Sequence, residues 1–244
     1  MALPAGAADR QPSVIELTFL RMRNTQDSMV QRTNDFLASS YFPALQRASA
    51  HKVGAFTYVF GEGNPSTLIV SEYADAAAWE GASRKLREDK ELQKASAAYY
   101  SGPLQYVRKE VVVLRGFSTM PAIELPPARD EKKTHIFELR TYESNNPRSL
   151  ARKVRMFDEG EIALFRKVGM IPVFFGEALA GRNLPQLTYM LAYDDMADRD
   201  KAWSAFVSSP EWNKMKSEPG VSDGEIVSNI SNSILRPLPF SGIQ

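Results

Sequence analysis

The chain reads KVGAFTYVFGE from Lys52 to Glu62 and KVGMIPVFFGE from Lys167 to Glu177. Six of the eleven positions are identical at a separation of 115: Lys52/Lys167, Val53/Val168, Gly54/Gly169, Phe60/Phe175, Gly61/Gly176 and Glu62/Glu177. A frame that recurs predicts a fold unit that recurs, since a single supersecondary unit needs a neighbour to cover its apolar face. The match extends in both directions. Upstream, VIELTFLRM from Val14 parallels IFELRTY from Ile136 and aligns Glu16 with Glu138. Downstream, PSTLIVSEYAD from Pro65 parallels PQLTYMLAYDD from Pro185 and aligns Tyr73 with Tyr193. Helical segments bearing Trp79 and Trp203 come next, then VVVLR ending at Arg115 and NSILR ending at Arg236. The separation drifts by several residues, as loop insertions would make it.

Each half predicts the same order of elements. Residues 14–22 are rich in strand formers, and further strands are expected at 55–62 and 67–74, then at 171–178 and 187–193. Leu150, Val154, Phe157, Leu164 and Val168 fall at helical spacing on one face. Asn146 followed by Pro147 marks the start of that helix, and Gly169 stands where a C-terminal cap belongs. Gly54 reads as the counterpart of Gly169, and Pro43 predicts a break or kink in the first-half helix. The turn between the middle strands reads longer in the second half. Strand, helix, strand, strand, helix, strand is the ferredoxin-like order. The expected class is therefore α+β: two tandem ferredoxin-like (βαββαβ) repeats, at 14–116 and 134–240, packed sheet to sheet as a pseudo-dimeric α/β barrel. Residues 1–13 read as an N-terminal tail, and the Pro-bearing, charge-ended stretch 117–133 as a linker.

At 244 residues, 43% hydrophobic and 24% charged, the chain has ordinary globular composition. A formal net charge of +1 gives no general reason to expect nucleic acid or an anionic membrane. No apolar run reaches the roughly 18–20 residues of a membrane-spanning helix. With no Cys, disulfides, thiolate catalysis and zinc–cysteine sites are excluded, and with only two His a His-rich metal site is too. MALPAGAADRQPS lacks the form of a signal peptide; it reads either as the stretch left after one is removed or as a native tail. A soluble protein, cytoplasmic or exported, is the expectation.

IFELRTY, a frame ending FGE, the Tyr of the third strand, and Trp203 followed by SSPEW together resemble the NIPSNAP family. The likeness covers about 134–237; the first half departs from it, lacking the Arg-Thr-Tyr ending and carrying KEL at 90–92 in place of PEW. The resemblance implies a ferredoxin-like fold of the dimeric α/β-barrel class. It implies no agreed reaction: some relatives are associated with mitochondria, vesicle traffic and signalling through protein contacts. The wider class includes small monooxygenases and haem-degrading enzymes that use the barrel cavity.

Alternation in HIFELRTY puts Phe137, Leu139 and Thr141 on one face and Glu138, Arg140 and Tyr142 on the other. If the first set meets the helices, the second points into the barrel, where Arg140 would hold a carboxylate through its fork of donors. Glu16 and Tyr193 complete this candidate ligand cavity. The competing reading is that Glu138 and Arg140 simply pair with each other or with neighbouring strands. Thr18 and Leu20 stand at the positions of Arg140 and Tyr142, which favours the second half as the site. Glu161 lies on an apolar helix stripe, where a carboxylate has its pKa raised unless it pairs with a cation. Glu62 and Glu177 read as solvated strand ends, His51 and His135 as surface residues, and Trp79, Trp203 and Trp212 as helix-to-sheet anchors. No P-loop, dinucleotide fingerprint or other cofactor signature is present, so no cofactor is expected.

Two functional classes follow. The first is a non-catalytic module that binds a small ligand or a protein, a further copy of the chain included. The second is a cofactor-free monooxygenase-like enzyme acting on a small hydrophobic molecule in the barrel cavity. The state of the interior discriminates them: an oxygenase needs an internal cavity with convergent polar groups.

Overall fold

The computed structural model describes residues 11–128 and 134–244. Most of the N-terminal tail and of the charged run RDEKKT lies outside them, and the readings of both with it. Eight antiparallel strands close into one barrel, in the order β1-β3-β2-β8-β5-β7-β6-β4. They are β1 (Val14–Arg21), β2 (Val53–Phe60), β3 (Ser66–Tyr73), β4 (Arg108–Gly116), β5 (Ile136–Ser144), β6 (Ile171–Ala180), β7 (Gln186–Tyr193) and β8 (Val227–Pro237). Helices α1 (Met29–Phe36) and α2 (Phe42–Arg47) lie between β1 and β2, and α3 (Ala76–Glu88) and α4 (Lys90–Tyr100) precede β4. In the second half, α5 (Pro147–Met156) and α6 (Ile162–Lys167) precede β6, and α7 (Met196–Ser208), α8 (Pro210–Lys216) and α9 (Asp223–Ile226) precede β8.

The sheets expected to pack face to face are joined edge to edge as well. Tyr58 pairs with Leu235 across one seam and Arg115 with Glu177 across the other, each seam carrying a bulge. Closure pairs the strand edges that two open sheets would leave exposed.

Matching structural features stand 120 positions apart rather than 115. Both first helices are interrupted by a π turn, at Leu37–Tyr41 and Phe157–Glu161. Asp75 and Asp195 cap α3 and α7, and Gly61 and Gly181 share a φ of 139° before cis Pro65 and cis Pro185. The KVG…FGE frame that suggested the repeat is thus five residues out of register. Gly54 lies within β2, where a Cβ would come within 2.7 Å of the Phe56 ring, and Ser49 (φ 72°) holds the left-handed place opposite Gly169 (φ 91°). The turns 61–65 and 181–185 are equal in length; β6 is longer than β2 instead. Pro43 leaves the helical run intact because it falls in the first turn of α2, just after the π turn, where its missing donor is tolerated.

Alternation holds along β1, β3 and β5 and is broken at the bulge of β6, where Val173 and Phe174 both turn inward; the interior is apolar. Leu17, Phe56, Leu68, Leu114, Phe137, Leu139, Phe174, Met190 and Leu235 meet there, each at most 5% exposed. All eight β7 residues are buried because the barrel interior covers one face and the helices the other. At the β1 C-terminal end, Arg21 and Arg182 bond Glu110, leaving two interior spaces of about 30 Å³ each. The opposite end is stoppered by Ile123 and Ile243, which are 1% and 0% exposed. Glu72, fully buried, fixes the first stopper by accepting from the Ile123 N–H (2.7 Å) and pairing with Lys52 (3.3 Å). Within the described part of 117–133, read as a linker, Phe117, Met120, Ala122 and Ile123 are buried against the barrel.

Candidate functional site

Glu138, Arg140 and Tyr142 face outward, beneath the second-half helices, and Phe137 and Leu139 fill the barrel. The expected orientation is reversed because the interior takes the apolar set of every strand. Glu138 is fully buried and saturated with donors. Arg199 reaches it from α7 through Nη2 (2.7 Å) and Nε (3.0 Å), and Arg140 Nη1 does so at 3.0 Å. Trp203 Nε1 (2.9 Å) and the Tyr193 hydroxyl (3.3 Å) complete the set. Burial pushes the Glu138 carboxyl up, but hydrogen bonding from Arg199 and the charge of Arg140 outweigh it, holding the group below its usual range. A carboxylate so held is a poor base.

Arg140 stacks on Trp203, its guanidinium carbon 4.5 Å from the ring centroid, and donates to the Tyr142 hydroxyl at 3.0 Å. Burial opposes its charge, while Tyr189, Tyr142 and Glu138 favour it and prevail. Burial, reinforced by Glu138, raises the Tyr193 phenol. The competing reading of the pair, mutual neutralisation, describes this geometry.

A second charged cluster adjoins the first. Lys153, on α5, is fully buried, with Nζ 3.3 Å from Glu161 Oε2 and 3.1 Å from Asp223 Oδ1. The rings of Phe157, Tyr142 and Trp212 surround it at 5.0, 5.3 and 5.4 Å. Burial opposes the charge of Lys153; Glu161 and Asp223 outweigh it and raise its pKa. Burial likewise raises Glu161, with Lys153 only partly offsetting it. The spacing of Lys153, Phe157 and Glu161, four and four, carries a signal for this cluster. Asp223, on a four-residue helix, carried none.

Over the same helices runs a groove of about 560 Å³, between α5–α6 and the α8 segment. Its floor is Met156, Gly160, Ala163, Leu164, Met215 and Val221. Arg152, Arg155, Glu159 and Lys167 line one wall, and Glu211, Lys214 and Glu218 the other. None of Glu138, Arg140, Tyr142, Tyr193 or Glu16 lines it. Sequence reading missed it because it lies between two elements distant in the chain.

In the first half, Glu16 accepts from Trp79 Nε1 (2.7 Å), and Thr18 Oγ1 (2.9 Å) takes the place of the Arg140 guanidinium. Trp79 stands four residues beyond its cap, like Arg199, so Trp203 has its place one turn further on. Thr18, Thr33 and Tyr41, facing a space of only about 40 Å³, occupy the positions of Arg140, Lys153 and Glu161. His135 is buried rather than exposed, its Nδ1 3.0 Å from the carbonyl of Gln244. Glu62 stands 3.7 Å from Arg182 at the barrel mouth.

No described helix is long and apolar enough to cross a membrane. No curated protein matches the chain. A candidate monooxygenase from Fusobacterium nucleatum is similar over 93% of both chains (TM-score 0.60, 10% identity). A second, from Lactobacillus acidophilus, is similar over 93% of this chain and 94% of its own (TM-score 0.60, 8% identity). An anthrone oxidase-like protein is similar over 95% and 93% (TM-score 0.55, 10% identity). At these identities the likeness is one of fold. The NIPSNAP family profile matches residues 137–242, from β5 through β8. Over that span, less than half of the chain, the sequence is similar to a NIPSNAP domain.

Proposed function

We propose that this chain is a non-catalytic, NIPSNAP-like binding module. Its two ferredoxin-like copies, 14–116 and 134–240, make the barrel a scaffold, and a groove on the second copy receives the ligand. The packed interior carries this reading: Phe137, Phe174 and Met190 are 0% exposed, and the spaces left at the mouth hold about 30 Å³ each. A water fits such a space; an organic substrate does not. The outer polar cluster offers no free base, since Glu138 is held ionised by Arg199, Arg140 and Trp203. The groove, at about 560 Å³, falls in the range of small-molecule sites.

The names of the structural neighbours suggest the alternative, cofactor-free oxygenation of a small hydrophobic molecule. It requires an interior cavity in place of the Phe and Met packing. Native mass spectrometry of the purified protein, with oxygen uptake followed in parallel, separates the two. A retained molecule released unchanged, without oxygen consumption, is the expected result. Recovery of an oxidised product, or oxygen uptake on adding aromatic substrates, overturns the module.

A further inference from the structure

We propose that the groove binds an amphipathic anion: an acyl or aryl body ending in one carboxylate, with its head at the Arg152/Arg155 end. This rests on the binding-module reading and names its ligand class. The groove walls run antiparallel. Lys167 pairs with Glu211 at one end, and Arg152 donates to the Gly220 carbonyl at 3.2 Å at the other. Along the helix that span is roughly 22 Å at 1.5 Å per residue, ample for an extended ten-carbon chain.

Charge is distributed unevenly along it. At the Lys167 end, cation and anion neutralise each other. Among the residues that line the Arg152 end there are two guanidinium groups, one of them on Arg155, which pairs with no carboxylate among the described residues, and one carboxylate, Glu218; behind them Arg152 also acts on Glu225. Behind the floor at this end lies a third cation: Lys153 Nζ is 3.8 Å from Met156 Sδ, and Met156 lines the groove. Asp223 is the partner of Lys153 that reaches solvent, its side chain 37% exposed where Glu161 is 2%. A carboxylate head at this end gains the fork of Arg155, while Lys153 keeps its own partners Glu161 and Asp223. Glu159 and Lys214, which pair with no charged group among the described residues, cancel along the body of the ligand.

The floor suits an apolar body. Met156 and Met215 are flexible and polarisable, and adapt to chains of varied shape. Gly160 keeps the centre open: a Cβ there would stand 3.3 Å from Met215 Sδ.

Calorimetric titration with decanoate, 1-decanol and decylammonium tests the proposal, with Trp212 fluorescence as a second readout. Decanoate is expected to saturate one site, with decanol about tenfold weaker for want of the charged head, and decylammonium weaker still. Arg155→Gln should weaken decanoate about tenfold and leave decanol unchanged. Ala163→Trp, which fills the floor from an exposed helix position, should abolish both while the near-ultraviolet circular dichroism stays native. Equal affinity for decanoate and decanol overturns the anionic class. Binding of neither ligand to folded protein, or full binding to Ala163→Trp, overturns the site. A neutral molecule retained in native mass spectrometry would leave the module standing while this inference fails.

Discussion

Two buried glutamates in the second half respond to pH with opposite sign. Glu138 has a folded value below its ordinary 4.5, so its contribution is complete above that value and is lost as pH falls through the folded one. Glu161 has a folded value above 4.5, so its contribution is complete below 4.5 and is lost as pH rises toward the folded value. Glu138→Gln leaves Arg199 and Arg140 without their counter-charge and should cost about 3 kcal/mol at neutral pH. That deficit should shrink as pH falls below 4.5. Glu161→Gln should gain stability relative to the parent as pH rises above 4.5. Urea denaturation at a series of pH values checks both slopes. Parallel curves for the two variants would contradict the assignment. At this scale the sequence named Glu138, Arg140, Tyr142, Tyr193 and Glu161 as unusual. Alternation fixed which side chains share a face of β5, but not which face meets the helices: both sides of a two-sided strand are buried. Arg199 escaped notice because an isolated basic residue on a polar-looking helix carries no periodic signal; Lys153 does share the spacing of Phe157 and Glu161, but a lysine on a helix reads first as solvated.

At the scale of elements, caps and turns govern what the helices present. Asn146 accepts from the backbone N–H groups of Arg148 and Ser149, and Pro147 follows it, so α5 starts where the sequence placed it. Asn146→Ala should cost about 1 kcal/mol, read as a lowered melting temperature with the fold unchanged. The π turn that follows was not legible, since Phe157–Glu161 has no composition of its own. Its effect is to bring Lys153, Phe157 and Glu161 onto one buried side. Strands given bounds were legible to within about two residues, as β-branched and aromatic runs between Gly and Pro turns, whereas β4 and β8 start three and five residues before VVVLR and NSILR. The register of the repeat was not, because KVG and FGE recur five residues from their structural counterparts.

At the scale of the molecule, the seams β2–β8 and β4–β6 tie the halves together. The fragment 134–244 alone would present β6 and β8 as bare edges, which invite pairing with another chain. It should run as a dimer or larger species by light scattering, and adding fragment 1–128 should return a one-to-one complex. A stable monomer of 134–244 would show that the seams contribute little. Closure was foreseeable from the order of elements; the bulged seams depend on contacts between strands 60 or more positions apart, which no local pattern encodes.

Ile123 and Ile243, themselves 120 positions apart and each just beyond the last strand of its half, cork the barrel. Such corks have nowhere to seat until both seams have zipped, so they settle last and lift first. The amides of Ile123 and Ile243 therefore serve as built-in tell-tales of barrel integrity. Their deuterium uptake should quicken under mild denaturant before that of β5 or β7, announcing loss of the seal while every strand is still in place.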